Sequence, residues 1–73
     1  MWNLEGEKIQ ATYLGDIPVQ GEVTLSRVKY GGGVSHHVRL DHEIKDLSVH
    51  RAAGDTVIVD HRDVSRVFGT VPR

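Results

Sequence analysis

The chain has no cysteine among its 73 residues, which excludes disulfides, thiolate zinc sites and cysteine nucleophiles together and fits a reducing compartment. Aromatic residues are scarce: Trp2, Tyr13, Tyr30 and Phe68 are the whole set. The core must therefore be built from Val, Ile and Leu, and a chain this short buries only about 60% of the surface that its unfolded form exposes. With no staple available, self-association is the remaining means of support. Neither sign of charge dominates, since nine Lys and Arg face ten Asp and Glu for a formal charge of -1. Whole-chain electrostatics thus pull it toward neither nucleic acid nor an anionic membrane. No apolar run approaches the roughly 18 residues that span a bilayer, and the opening MWNLEGEK lacks the basic start and apolar stretch of a signal peptide. The expectation is a soluble, cytoplasmic, single-domain protein over residues 1–73 that needs no cofactor.

What is present is β-patterned. Glycine and turn residues punctuate the chain at intervals that suit strands. Ile9, Ala11 and Tyr13 alternate with Gln10 and Thr12, the period-2 signature of a half-buried strand, and Asp16-Ile17-Pro18 interrupts it. A second strand starts with Val19, Gly21, Val23 and Leu25 in phase and then changes phase at Val28 and Tyr30, which predicts a bulge or bend near Ser26-Arg27. In VSHHVRLD, Val34, His36, Val38 and Leu40 share the face assigned to the core, while Ser35, His37, Arg39 and Asp41 share the other. Residues 42–53 read as a loop with a short strand. A strand over Thr56 to Asp60, a tight corner and a short final strand over Val64 to Phe68 complete the chain, with a short arm at 1–7 and a loose tail at 69–73.

The residues that carry chemistry offer no catalytic set. Gly31-Gly32-Gly33 lie between two β-patterned segments and read as a hairpin corner, because glycine takes positive φ without steric cost. No helix follows them, and the Gly-x-x-x-x-Gly-Lys-Ser/Thr spacing of a phosphate loop is missing. Five histidines, His36, His37, His42, His50 and His61, are many for the length, yet adjacent His36 and His37 point to opposite faces of a strand and cannot share one ion. His36 reads as a core histidine with its ring bonded, and His37 as solvent-facing. The corner Asp60-His61-Arg62-Asp63 reads as turn chemistry rather than acid-base machinery. No serine, histidine and carboxylate fall in a recognisable nucleophile motif.

Two surfaces remain as candidates. Arg27, Lys29, Tyr30, His37 and Arg39 surround the glycine hairpin, mixing positive charge with an aromatic ring as partner-binding and single-strand nucleic-acid-binding faces do. Trp2, Leu4, Val64, Val67 and Phe68 are candidate contacts of a homo-oligomer: the first two would cover an open end of the fold or a neighbouring subunit, and the short final strand would offer a pairing edge. These features predict a non-enzymatic interaction module, with an oligomeric single-strand nucleic-acid binder as the second reading.

The order strand, one-turn HRDV corner, short strand resembles the end of SH3-like and Sm-like small barrels. The resemblance implies an all-β, five-stranded, strongly bent antiparallel barrel and says little about activity. WNLEG together with SRVKYGG and a following histidine resembles a class of short proteins of unknown function from bacteriophages of actinobacteria. That second resemblance implies a phage accessory protein acting on a host protein, and it brings no catalytic residues.

Overall fold

Where apolar side chains recur at alternate positions, one face of an extended chain can be buried and the other left in water, and the computed structural model realises those segments as strands. It describes residues 2–46 and 48–70. The strands are β1 (Glu7–Tyr13), β2 (Ile17–Val28), β3 (Val34–Leu40), β4 (Ile44–Lys45), β5 (His50–Arg51), β6 (Thr56–Asp60) and β7 (Val64–Thr70), and a 3₁₀ turn at His61–Asp63 joins the last two. Five of them form one antiparallel sheet in the order β6-β3-β2-β1-β7, while β4 and β5 pair as a separate small hairpin.

That order places β6 and β7 at opposite edges of the sheet although only three residues separate them in the chain. In a flat sheet four inter-strand spacings would set the edges about 19 Å apart, whereas the link from Asp60 to Val64 reaches about 14 Å even when fully extended. The sheet must therefore curl strongly. Three register shifts contribute, because a bulge bends and twists its strand. One lies in the β2–β3 pairing between Val23 and Leu25, and two lie in the β1–β7 pairing at Lys8/Ile9 and Gln10/Ala11. Hydrogen-bonded closure of β6 on β7 is not found among the described residues, so the all-β, five-stranded antiparallel part of the expectation stands and barrel closure does not follow.

The concave side holds the core: Ile9 and Ala11 of β1, Ile17, Val19 and Val23 of β2, Val38 and Leu40 of β3, and Val57 and Val59 of β6, capped by Leu4 and Ile44. His36 is the one imidazole among them and is fully out of solvent. The β2–β3 turn follows the expected chemistry. Gly31 and Gly32 take φ of 95° and 99°, which a side chain would resist, and Lys29 N–H donates to the Gly33 carbonyl at 2.6 Å.

Several boundaries differ from the sequence reading. The phase change of β2 sits at Thr24, two residues before the predicted bend, so Leu25 turns outward and Ser26 inward. β2 also begins earlier, at Ile17, with Pro18 paired opposite Thr12. Glu7 belongs to β1 rather than to the arm, and Gly69 and Thr70 belong to β7 rather than to a tail, because they pair with Lys8 and Glu7. The final strand is therefore seven residues long, longer than β6. Residues 42–53 hold two minimal strands where one was expected. The rest of the predicted tail, residues 71–73, and Met1 lie outside the described residues.

Candidate interaction surface

The outer side of β2, β3 and β6 is built by register. Cross-strand pairing sets Arg27, Ser35 and Asp60 in one row, Leu25, His37 and Ile58 in the next, and Glu22, Arg39 and Thr56 in a third. The glycine turn then folds Lys29 and Tyr30 over the first row. Arg27, Lys29, Tyr30 and His37 consequently line one concavity together with Ile58 and Asp60. Arg39 does not join them. It lies one row further along β3, where its guanidinium approaches Glu22 Oε1 at 3.5 Å, because residues two apart on a strand stand some 7 Å from each other.

The positive charge of this face is unevenly available. Lys29 Nζ donates to Asp60 Oδ2 at 3.1 Å, and Arg62 Nε stands 3.8 Å from the same oxygen. The Lys29 ammonium, with help from Arg62, holds the Asp60 carboxyl below its ordinary 3.8. Arg27 makes no hydrogen bond or ion pair among the described residues. Around it stand exposed apolar side chains that the sequence reading did not assign to the site: Leu25, Val28 and Ile58, with Tyr30 projecting wholly into solvent. A signal for them existed. Ile58 occupies the outward phase of the TVIVD run and the Thr24 shift turns Leu25 outward, whereas Val28, in phase with the inward Ser26, is exposed at the end of β2.

A second cluster lies on the opposite, buried side. Ser26 Oγ is 2.8 Å from His36 Nδ1, and His36 Nε2 is 2.7 Å from His61 Nδ1 on the 3₁₀ turn. Burial, then the nearby His61, push the His36 ring below its ordinary 6.5, against a smaller opposing pull from Asp60. A hydroxyl bonded to an imidazole is the pairing that activates serine nucleophiles. Here the oxygen is buried and already accepts the Leu4 N–H at 2.9 Å, so it faces the arm rather than an opening for substrate. The chain positions 26, 36 and 61 have no helical or alternating relation, and only the pairing of β2 with β3 and the corner after β6 unite them.

The predicted oligomer contacts divide. Trp2, Val67 and Phe68 are each about half exposed, with the Arg66 guanidinium 5.3 Å over the Phe68 ring. Leu4 is buried in the core of its own chain and Val64 packs against that core, so these two are spent internally. Among the described residues no three of His, Asp and Glu converge as a metal cage would require, and no helix is long and apolar enough to cross a membrane. No protein-family model, curated protein or solved structure matches the chain.

Proposed function

We propose that this protein is a non-enzymatic interaction module that holds a partner protein against the outer face of β2, β3 and β6. The observation that carries the reading is the row Leu25, His37, Ile58 with Arg27 and Tyr30 beside it. Apolar side chains gathered on one rigid face are the usual mark of a contact surface, and an unpaired arginine next to an exposed tyrosine is the pair most enriched where partners anchor. An SH3-like or Sm-like small barrel is the architecture we propose for the curled sheet, supported by the strand order and by the 3₁₀ link between the edge strands. The resemblance to short actinobacteriophage proteins makes a cytoplasmic host protein the partner to seek first. The test is a photoreactive residue at position 58 in an actinobacterial lysate, with Arg27→Glu as control. One dominant crosslinked protein that disappears in the variant supports the module, and crosslinking spread evenly over abundant proteins refutes it.

A single-stranded nucleic acid is the second reading, favoured by the unpaired Arg27 beside the fully exposed Tyr30 ring, on which a base could stack. Mobility shift at low salt decides between them, because non-specific binders retain affinity there.

A further inference from the structure

The chain as a whole carries a formal charge of -1, yet the concavity on β2, β3 and β6 is positive. Its charged lining residues are Arg27, Lys29 and Asp60, two cations against one anion. Asp60 is already answered, since Lys29 Nζ donates to its Oδ2 at 3.1 Å and Arg62 Nε stands 3.8 Å from the same atom. The charge left over belongs to Arg27, whose guanidinium has no hydrogen bond or ion pair among the described residues.

An exposed cation is stable in water without a partner, so this one alone selects nothing. The neighbouring row does. Strand pairing sets Leu25, His37 and Ile58 side by side, one step of some 7 Å along β3 from the row of Arg27, Ser35 and Asp60. Leu25 and Ile58 are exposed on either side of the imidazole, two inter-strand spacings or about 10 Å from each other. A large apolar side chain laid over His37 therefore touches both. The row beyond sets no further demand, because Arg39 and Glu22 face each other there at 3.5 Å.

We propose that the segment this face takes is extended and acidic, with a carboxylate two residues from a large apolar side chain. The inference rests on the reading of this face as a partner-protein surface and names what the partner must present. In an extended chain alternate side chains project to one side at the same repeat of about 7 Å as the rows. One residue of such a segment meets Arg27 while the residue two along settles between Leu25 and Ile58, and the residue between them points away. A carboxylate accepts two parallel hydrogen bonds from a guanidinium. The apolar contact supplies most of the affinity, since an exposed ion pair contributes little, and the charge supplies the choice of partner. A nucleic-acid strand fits less well: it presents a phosphate at every nucleotide and calls for a track of cations, whereas this face has the carboxylates of Asp60 and Glu22 beside the unpaired Arg27.

The probe is the capped pentapeptide acetyl-Thr-Asp-Thr-Phe-Thr-amide, whose one charge is its aspartate, titrated at low salt into the full isotope-labelled chain while backbone amide shifts are followed. The amides of Arg27, His37 and Ile58 should move together, and those of Val67 and Phe68 should stay. Replacing the peptide's Asp by Asn should weaken binding about fivefold in the wild-type chain and leave it unchanged in Arg27→Gln, where the pair is already broken. Arg27 is exposed, so this variant keeps the fold, which its amide spectrum verifies. Moving Phe next to Asp, in acetyl-Thr-Asp-Phe-Thr-Thr-amide, should weaken binding at least as much, because adjacent side chains point to opposite sides. Equal affinity of the Asp and Asn peptides, an Asn effect that persists in Arg27→Gln, no shift at millimolar peptide, or tighter binding of a thymidine decanucleotide at the same amides would each overturn the proposal. A single protein crosslinked at position 58 without peptide binding would overturn the acidic motif alone and leave the partner surface standing, whereas crosslinking spread evenly over abundant proteins would overturn both.

Discussion

Gly21 lies against the backbone of Arg39 so closely that a Cβ at position 21 would stand 2.0 Å from the Arg39 carbonyl oxygen and 2.8 Å from its carbonyl carbon. The obstacle is main chain of the central β2–β3 pair, which cannot rotate away as a side chain would. Gly21→Ala should therefore force the two strands apart and cost at least the ~1–3 kcal/mol typical of overpacking. Gly33→Ala meets only the flexible Lys29 Cε at 3.0 Å and should be far milder. Urea unfolding followed by circular dichroism compares the two, and equal midpoints would contradict this account.

Among the described residues Leu14 is the one non-glycine with positive φ, at 53°, and it sits exposed at the tip of the β1–β2 hairpin beside Gly15 at 88°. A leucine in the left-handed region carries steric strain that asparagine tolerates and glycine lacks. Leu14→Asn and Leu14→Gly should each raise stability, by about 0.5–1 kcal/mol. A drop in thermal midpoint for both would show that Leu14 makes a contact that outweighs its strain.

The buried His36 ring ties stability to pH in a definite direction. Its folded-state affinity for protons is depressed below the ordinary 6.5, first by burial, then by His61, with Asp60 opposing. Above about pH 6.5 folded and unfolded chains both carry it neutral, and its full contribution is present. As pH falls below that value the unfolded chain takes up a proton that the folded chain resists, so stability declines at up to about 1.4 kcal/mol per pH unit. The decline ends once the depressed folded value is passed. Denaturant titrations from pH 8 to 5 should show the drop, and His36→Gln should flatten it. A wild-type curve that is level through this range would contradict the assignment.

The concave face was legible in the sequence because alternation alone assigns Ile9, Ala11, Val38 and Leu40 to one side, and a one-residue error would invert every side chain. The tight corner was legible because DHRD stands between two apolar runs, and its 3₁₀ form, at His61–Asp63, was what the small-barrel resemblance implied. The bulge at Thr24 was misplaced by two residues: Leu25 and Ser26 both suit a strand, and only their partners on β3 decide which one turns inward. Arg27, Lys29, Tyr30 and His37, which lie close to one turn in sequence, do line one concavity. Ile58 was missed because it comes from β6, and Arg39 was included because sequence proximity does not register the 7 Å step between alternate strand residues. The Ser26–His36–His61 chain had no local signal at all, since its separations of 10 and 25 residues exist only through strand pairing.

The outer edge of β7 should join two copies of the chain. Among the described residues β7 pairs with β1 alone, so its other side presents backbone donors and acceptors over a seven-residue strand, and Val67 and Phe68 stand half exposed beside them. Such an edge is a template for another strand, and antiparallel pairing of β7 with its own copy is self-complementary about a two-fold axis, the commonest symmetry of small assemblies. Trp2, also half exposed, offers a further apolar contact, whereas Leu4 is held inside its own chain. Light scattering at micromolar concentration should therefore give twice the monomer mass. Val67→Lys places a charge at the centre of the edge and should yield monomer, while Ile58→Lys, on the opposite edge strand, should leave the dimer intact. A monomer at every concentration, or a dimer lost equally in both variants, would show that β7 is not the joining edge.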